Sequence, residues 1–107
     1  MTTAKFLFSD DTIISFELSG HSGAGEEGTD IVCSAISSAV YMAANTIIEI
    51  MKLSPETVVR DGYLKVQMNL EDARKSKVIT DGLYLHLGEL QSQYPNNLKL
   101  ERGVFNA

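Results

Sequence analysis

The stretch that decides the fold is residues 31–50, IVCSAISSAVYMAANTIIEI. Small and apolar residues recur there at every third or fourth position, the spacing of one face of a helix. Further apolar residues widen this face, so we expect a central and largely buried helix. Thr29 or Asp30 can supply its N-cap, because either side chain can accept a hydrogen bond from a first-turn amide. Ser54-Pro55 is expected to end the helix.

Two segments rich in β-branched and aromatic residues precede this helix. They are residues 4–8, AKFLF, and residues 12–18, TIISFEL, with the turn-forming Ser9-Asp10-Asp11 between them. This pattern predicts an antiparallel hairpin. Residues 20–28, GHSGAGEEG, follow the hairpin and contain four glycines in nine positions. Glycine is costly to order, so we predict a mobile loop there.

Three further strands are predicted beyond the central helix. Residues 56–60 and 63–68 flank Asp61-Gly62, a dipeptide that favours a type I′ hairpin turn. Residues 98–104 have a similar composition and predict the last strand of the chain.

A second helix is predicted from Asn69 to about Gln93, with Gly82 as its point of close approach to the first helix. The resulting order is ββαββαβ. It favours one α+β domain over residues 1–107, with a single-layer, mostly antiparallel sheet of about five strands and both helices on one face. The uncovered face, together with free edges at strand 63–68 or strand 98–104, favours self-association.

Length, charge and cysteine count limit the possible functions. The chain has 107 residues and a net charge of -5, which argues against direct binding to nucleic acid or to anionic membranes. Polar residues interrupt the apolar stretch 31–51, so no membrane span is expected, and no signal peptide is recognisable. The single cysteine excludes an internal disulfide and a multi-thiolate zinc site. We expect a cytoplasmic protein without metal or cofactor.

The glycine-rich segment superficially resembles a dinucleotide-binding fingerprint. Gly23, Gly25 and Gly28 have the spacing GxGxxG between a strand and a helix. Glu26 and Glu27, however, lie where a pyrophosphate needs positive potential, and the preceding strands form a hairpin rather than a βαβ unit. We therefore reject nucleotide binding.

His21 and Cys33 are the residues that most directly suggest catalysis. His21 follows a strand, and Cys33 is expected in the first turn of a helix. Unpaired amides at a helix start favour a thiolate, and an imidazole nearby can accept the thiol proton. The same amides could bond the oxyanion of a tetrahedral intermediate. A structural role for Cys33, as a small buried residue, remains open at this stage.

These residues also resemble the signature of a known family. Gly20-His21 followed by Gly28-Thr29-Asp30-Ile31-Val32-Cys33-Ser34-Ala35-Ile36-Ser37 is similar to the signature of the ribosomal-processing cysteine proteases. The similarity continues through Asp81-Gly82-Leu83 and Gln93-Tyr94-Pro95. It implies an endopeptidase that removes a short N-terminal extension from large-subunit ribosomal protein twenty-seven, with Cys33 as nucleophile and His21 as general base. It also implies a homodimer and a basic ribosomal protein as the partner.

Other residues have weaker candidate roles. Asp30 either caps the helix or orients His21, and Ser37, one turn after Cys33, either hydrogen-bonds near the site or bonds back to a main-chain carbonyl. The expected substrate loop comprises Gly20, Ser22, Gly23, Gly25, Glu26, Glu27 and Gly28. Its two glutamates could attract a cationic substrate segment. Two alternative functions stay open: a non-catalytic ribosome-assembly module and a redox-sensing thiol protein.

Overall fold

The protein's structure is a computed structural model that describes residues 1–20 and 27–105, with the side chains of residues 27–30 outside the description. Within these ranges the chain forms five strands, three α-helices and one π-helical turn. In chain order these are β1 Thr2–Ser9, β2 Thr12–Ser19, α1 Glu27–Asn45, the π-turn Thr46–Ile50, β3 Glu56–Arg60, β4 Tyr63–Gln67, α2 Leu70–Lys75, α3 Lys77–Gln93 and β5 Leu98–Val104.

The strands form one mixed sheet in the order β3-β4-β2-β1-β5. Three of the four pairings are antiparallel, and β1 pairs with β5 in parallel. The predicted α+β class and the mostly antiparallel sheet are therefore confirmed. The edges are β3 and β5, so the free edge expected for residues 63–68 is wrong: β4 lies between β3 and β2.

The hydrophobic core lies between one face of the sheet and the helices. Alternate residues of β1 point into it, and Ala4, Phe6 and Phe8 are all buried. The inner face of α1 contributes Val32, Ile36, Val40, Ala43 and Ala44 to the same cluster. Burial of these apolar side chains is the main force that holds α1 on the sheet.

The first helix begins earlier than expected and ends earlier than expected. It starts at Glu27, so neither Thr29 nor Asp30 is its N-cap. The π-turn ends at Ile50, and Lys52 then adopts a positive φ of 59°, which turns the chain out of the helix before Pro55. The expected stop at Ser54-Pro55 is thus replaced by a left-handed residue two positions upstream.

By length and composition alone, the helical stretch Ile31–Ile50 could cross a membrane. Its interrupting serines and Asn45 therefore do not by themselves exclude a span, contrary to the sequence-based expectation. In this structure Val32, Ile36 and Val40 of the same stretch lie in the hydrophobic core against the sheet. The core helix of a globular protein can meet the same criteria of length and composition as a span.

The second predicted helix is divided into α2 and α3 at Ser76, which is buried and has φ -93° and ψ 2°. Its predicted start is confirmed, because the Asn69 side chain accepts a hydrogen bond from the Asp72 amide at 2.8 Å. The role expected of Gly82 is wrong. A Cβ added there would have no neighbouring atom within 4 Å, so α1 does not approach it closely.

The hairpin between β3 and β4 is confirmed, but its turn is not type I′. A type I′ turn needs positive φ at both central residues. Gly62 has φ 71°, whereas Asp61 is not among the described residues with positive φ. This combination is typical of a type II turn, in which only the second central residue requires glycine.

Candidate active site

Cys33 lies in a cleft between α1 and one end of the sheet. The α1 side is formed by residues spaced along one helical face, namely Cys33, Ser37, Val40 and Tyr41. The sheet side is formed by residues from β2, β3, β4 and the adjoining turns, namely Leu18, Gly20, Arg60, Gly62, Tyr63 and Leu64. Cys33 is half-buried with a free thiol, so it is both held in place and accessible from the cleft.

The cleft has an apolar floor. Val40 of the helix and Leu64 of the sheet both line the cleft, and both are buried. Ser37 lies one turn after Cys33 and lines the same cleft, as its i+4 spacing predicts. In the described part of the chain, the Ser37 hydroxyl has no hydrogen-bond partner, so the predicted back-bond to a main-chain carbonyl is not formed.

Gly20 fixes the sheet end of the cleft through one backbone hydrogen bond and a close approach to the start of the chain. The Gly20 amide donates to the Gly62 carbonyl at 3.0 Å, which joins the end of β2 to the β3–β4 turn. Gly20 has φ 89°, and a Cβ at this residue would lie 2.6 Å from the Met1 carbonyl oxygen. Glycine is therefore required at this position by both its dihedral angle and its close approach to β1.

The rim of the cleft continues onto the opposite face of the sheet. Tyr63 and Glu17 alternate with the buried Leu64 and Phe16, so their side chains lie on the face without helices. The Tyr63 hydroxyl donates to the Glu17 carboxylate, and the Arg60 guanidinium lies 4.1 Å from the Tyr63 ring centroid. The hydrogen bond to Glu17, with burial and the negative charge of Glu17, raises the pKa of Tyr63 above its usual value of 10.0.

The residue at which α1 begins decides whether Cys33 lies next to unpaired helix amides. Because α1 begins at Glu27, Cys33 is its seventh residue and lies in the second turn rather than the first. The first four amides of a helix are the unpaired ones, and the amide of a seventh residue bonds to the carbonyl four residues earlier. The expectation that first-turn amides at Cys33 bond an oxyanion is therefore wrong.

Several predicted site residues lie outside the described ranges. These are His21, Ser22, Gly23, Gly25 and Glu26. Glu27 and Gly28 were expected in the loop, but both belong to α1. Asp30 is the fourth residue of α1, so the capping role is wrong and the role of orienting His21 stays a prediction.

No local sequence pattern indicates that the β3–β4 hairpin adjoins the cleft. Asp61-Gly62 predicts the hairpin turn itself, but its place beside the cleft depends on the long-range pairing of β2 with β4. Tyr41 could have been found from its helical spacing, since it lies two turns after Cys33. In the described ranges, no group of three or more His, Cys, Asp or Glu side chains could hold a metal ion.

Comparison with known proteins agrees with the resemblance seen in the sequence. Residues 1–99 match the family profile of the cysteine protease Prp. The ribosomal processing cysteine protease Prp of Bacillus subtilis (strain 168) is 26% identical over 101 residues, which cover 89% of this chain and 90% of that protein.

Solved structures share the fold over almost the whole chain. The essential ribosomal processing protease Prp from S. aureus, in complex with a substrate peptide, has a TM-score of 0.84 at 22% identity and covers 95% of this chain and 99% of its own. SMU.848 from Streptococcus mutans has a TM-score of 0.83 at 25% identity, and the match covers 98% of this chain and 96% of SMU.848. Because the family profile matches nearly the full length, this chain belongs to the cysteine protease Prp family.

Proposed function

We propose that this chain is an endopeptidase that removes a short N-terminal extension from large-subunit ribosomal protein twenty-seven. The observation that carries the proposal is a half-buried free thiol, Cys33, in a cleft whose wall includes Gly20. Gly20 directly precedes His21 in the sequence. Membership of the Prp family supports the ribosomal substrate, since the B. subtilis relative is named a ribosomal processing protease. A substrate peptide bound to the S. aureus protein supports a peptide ligand.

The proposed mechanism uses a dyad of Cys33 and His21. His21 accepts the thiol proton, and the sulfur attacks the carbonyl carbon of the scissile peptide bond. His21 then donates this proton to the leaving amine as the C–N bond breaks, which leaves a thioester on Cys33. Water, deprotonated by His21, hydrolyses the thioester and releases the extension with a new carboxyl group.

Two further residues have supporting roles in this proposal. Ser37 presents a hydroxyl to the cleft one turn from Cys33, where it can hydrogen-bond the substrate or the nucleophile. Asp30 lies three residues before Cys33 in the same helix, and a carboxylate there can hold the imidazolium of His21 in one orientation. Both are positioning residues rather than reacting groups.

The glycine-rich segment is proposed to close over the bound substrate. Its glycines support this role, because glycine has no Cβ and adopts backbone conformations that other residues rarely reach. Since Glu27 and Gly28 belong to α1, the proposed lid is shorter than the sequence suggested and comprises residues 22–26. Glu26 and Glu27 are proposed to attract a basic substrate segment. Changing both residues to Gln tests this role, because it should reduce the salt dependence of the cleavage rate.

We also propose a cytoplasmic location and a homodimeric state. A reducing compartment suits a free thiol nucleophile. The sheet has one face without helices, and β5, one of the two strands expected to offer a free edge, is an edge strand. Light scattering after size exclusion would measure the oligomeric state. A mass of one chain at micromolar concentration would contradict the dimer.

A cleavage assay tests the proposed function. Wild type, Cys33→Ala and His21→Ala are incubated with extended ribosomal protein twenty-seven, and the product N-terminus is determined by mass spectrometry. We expect defined cleavage by the wild type and none by the Cys33 variant. Binding without cleavage by every form would instead support a ribosome-assembly module. Oxidation of the Cys33 thiol, with neither binding nor cleavage of the ribosomal protein, would support a redox sensor.

A further inference from the structure

We propose that the free edge of β3 binds the substrate polypeptide as an additional strand and leads it into the Cys33 cleft. The inference rests on the proposed function, because it assumes that the ligand of this cleft is a polypeptide. It adds an interaction surface outside the dyad. The surface recognises main-chain amide and carbonyl groups of an extended peptide, rather than particular side chains.

The pairing of β4 determines which groups of β3 are free. The Met68 amide donates to the Ile14 carbonyl, and the Gly62 carbonyl accepts from the Gly20 amide. Both residues flank β4 and are even-numbered, so the even-numbered residues within β4 also bond towards β2. Odd-numbered residues of β4 therefore bond towards β3, where their partners are Glu56, Val58 and Arg60.

The remaining two residues of β3, Thr57 and Val59, direct their amides and carbonyls away from the sheet. Within the described residues, no hydrogen bond reaches these groups from another part of the chain. An added strand would find two donors and two acceptors at the spacing that an extended peptide requires.

The two edges of the sheet differ in how they are covered. At the β5 edge, the Gln91 side chain accepts a hydrogen bond from the Leu100 amide and so occupies part of that edge. At the β3 edge, all five residues are exposed and Val59 is 63% exposed. The strand contains no proline, and the described pairing of β3 with β4 has no bulge. The outward main-chain groups of Thr57 and Val59 are therefore accessible to a pairing partner.

Continuity with the cleft favours the substrate as that partner. Arg60 is the last residue of β3 and also lines the cleft that contains Cys33. A strand added beside β3 lies about 4.8 Å from it, and five residues of strand span roughly 17 Å. A peptide paired with Thr57 and Val59 that continues in the same direction passes Arg60, the β3 residue that lines the cleft. Pairing of two β3 strands from separate copies would occupy the same groups, and the test separates the two cases.

An N-methyl scan of the peptide provides the first test. The probe is a fluorescein-labelled peptide that spans the extension junction of ribosomal protein twenty-seven, and the protein carries Cys33→Ala so that binding is measured without turnover. Each N-methyl group removes one donor. We expect two positions, spaced by two residues, to weaken binding about three- to tenfold each, with the intervening position unaffected. Equal tolerance at all positions, or losses at consecutive positions, would overturn the proposal.

A variant of the protein provides the second test. Thr57→Pro removes one outward amide without touching the bonds to β4, and proline is tolerated at such edge positions. Its matched control, Thr57→Val, keeps the amide. We expect the proline variant alone to weaken peptide binding by about three- to tenfold. If it instead dissociates an oligomer and binds the peptide normally, the edge joins two copies and the proposal is wrong.

The two proposals fail in different ways. Peptide binding with alternating N-methyl sensitivity, but no cleavage by the wild type, would remove the proposed function and leave the edge as a binding surface. Cleavage that requires Cys33, combined with uniform N-methyl tolerance, would keep the protease and remove the edge interaction.

Discussion

Replacing Gly20 by alanine should lower the free energy of unfolding more than the same replacement at any other described glycine. Gly20 has φ 89°, and an L-residue in the left-handed region costs about 1–2 kcal/mol. The added Cβ would lie 2.6 Å from the Met1 carbonyl oxygen, which is a backbone atom next to β1 rather than the far end of a flexible side chain. Relief of such overpacking typically costs about 1–3 kcal/mol. The sum is a loss of about 2–5 kcal/mol in the free energy of unfolding.

Urea denaturation monitored by circular dichroism measures this loss, with Gly82→Ala as the matched control. Gly82 lies within α3 and has no atom within 4 Å of an added Cβ, so alanine should stabilise the helix by about 0.5–1 kcal/mol. The change from Gly to Ala is thus expected to lower the free energy of unfolding at residue 20 and to raise it at residue 82. A Gly20→Ala protein as stable as the wild type would refute the conformation assigned to the end of β2.

Three other substitutions test the core, a cap and the Tyr63 hydrogen bond. Leu87→Ala removes a fully buried side chain and should cost about 2–5 kcal/mol in a urea titration, whereas Leu85→Ala, at an exposed position of the same helix, should change stability by less than about 0.5 kcal/mol. Asn69→Ala deletes the side-chain cap of α2 and should lower the free energy of unfolding by about 1 kcal/mol, measured by thermal denaturation. Glu17→Gln removes the charge that favours the neutral phenol, so the pKa of Tyr63 should fall towards 10.0 in an NMR titration. In the wild type, the pKa of Tyr63 is higher in the folded than in the unfolded protein. The Tyr63–Glu17 hydrogen bond therefore stabilises the fold below about pH 10, and this stabilisation is lost as the pH rises through the pKa of Tyr63 in the folded protein.

The elements of the fold were predictable because their signals are local. Alternation in β1 and β2 and the helical spacing of residues 31–50 arise from the periods of strand and helix. The break at Ser76 was missed because no glycine or proline marks it. Ser76 is buried, and it is the packing of α2 and α3 on the sheet that decides where the helix divides.

The site was predictable only in part, for a similar reason. Cys33 and Ser37 lie on one helical face, so their proximity follows from sequence spacing. The contributions of Arg60 and Tyr63 depend on β4 pairing with β2, which places the β3–β4 turn beside Gly20. No local pattern encodes that pairing. The start of α1 was also misjudged, since Glu27 and Gly28 were assigned to the preceding loop on composition alone.

The most direct test of the account is the identity of the atom that the extension is transferred to. A reaction of the wild type with extended ribosomal protein twenty-seven, quenched in acid within its first turnover, should contain enzyme whose mass is increased by the acylated extension. Peptide mapping should locate this thioester on Cys33, and Cys33→Ala should show neither adduct nor product. An adduct on another residue, or cleavage that persists in Cys33→Ala, would contradict the assignment of Cys33 as the nucleophile.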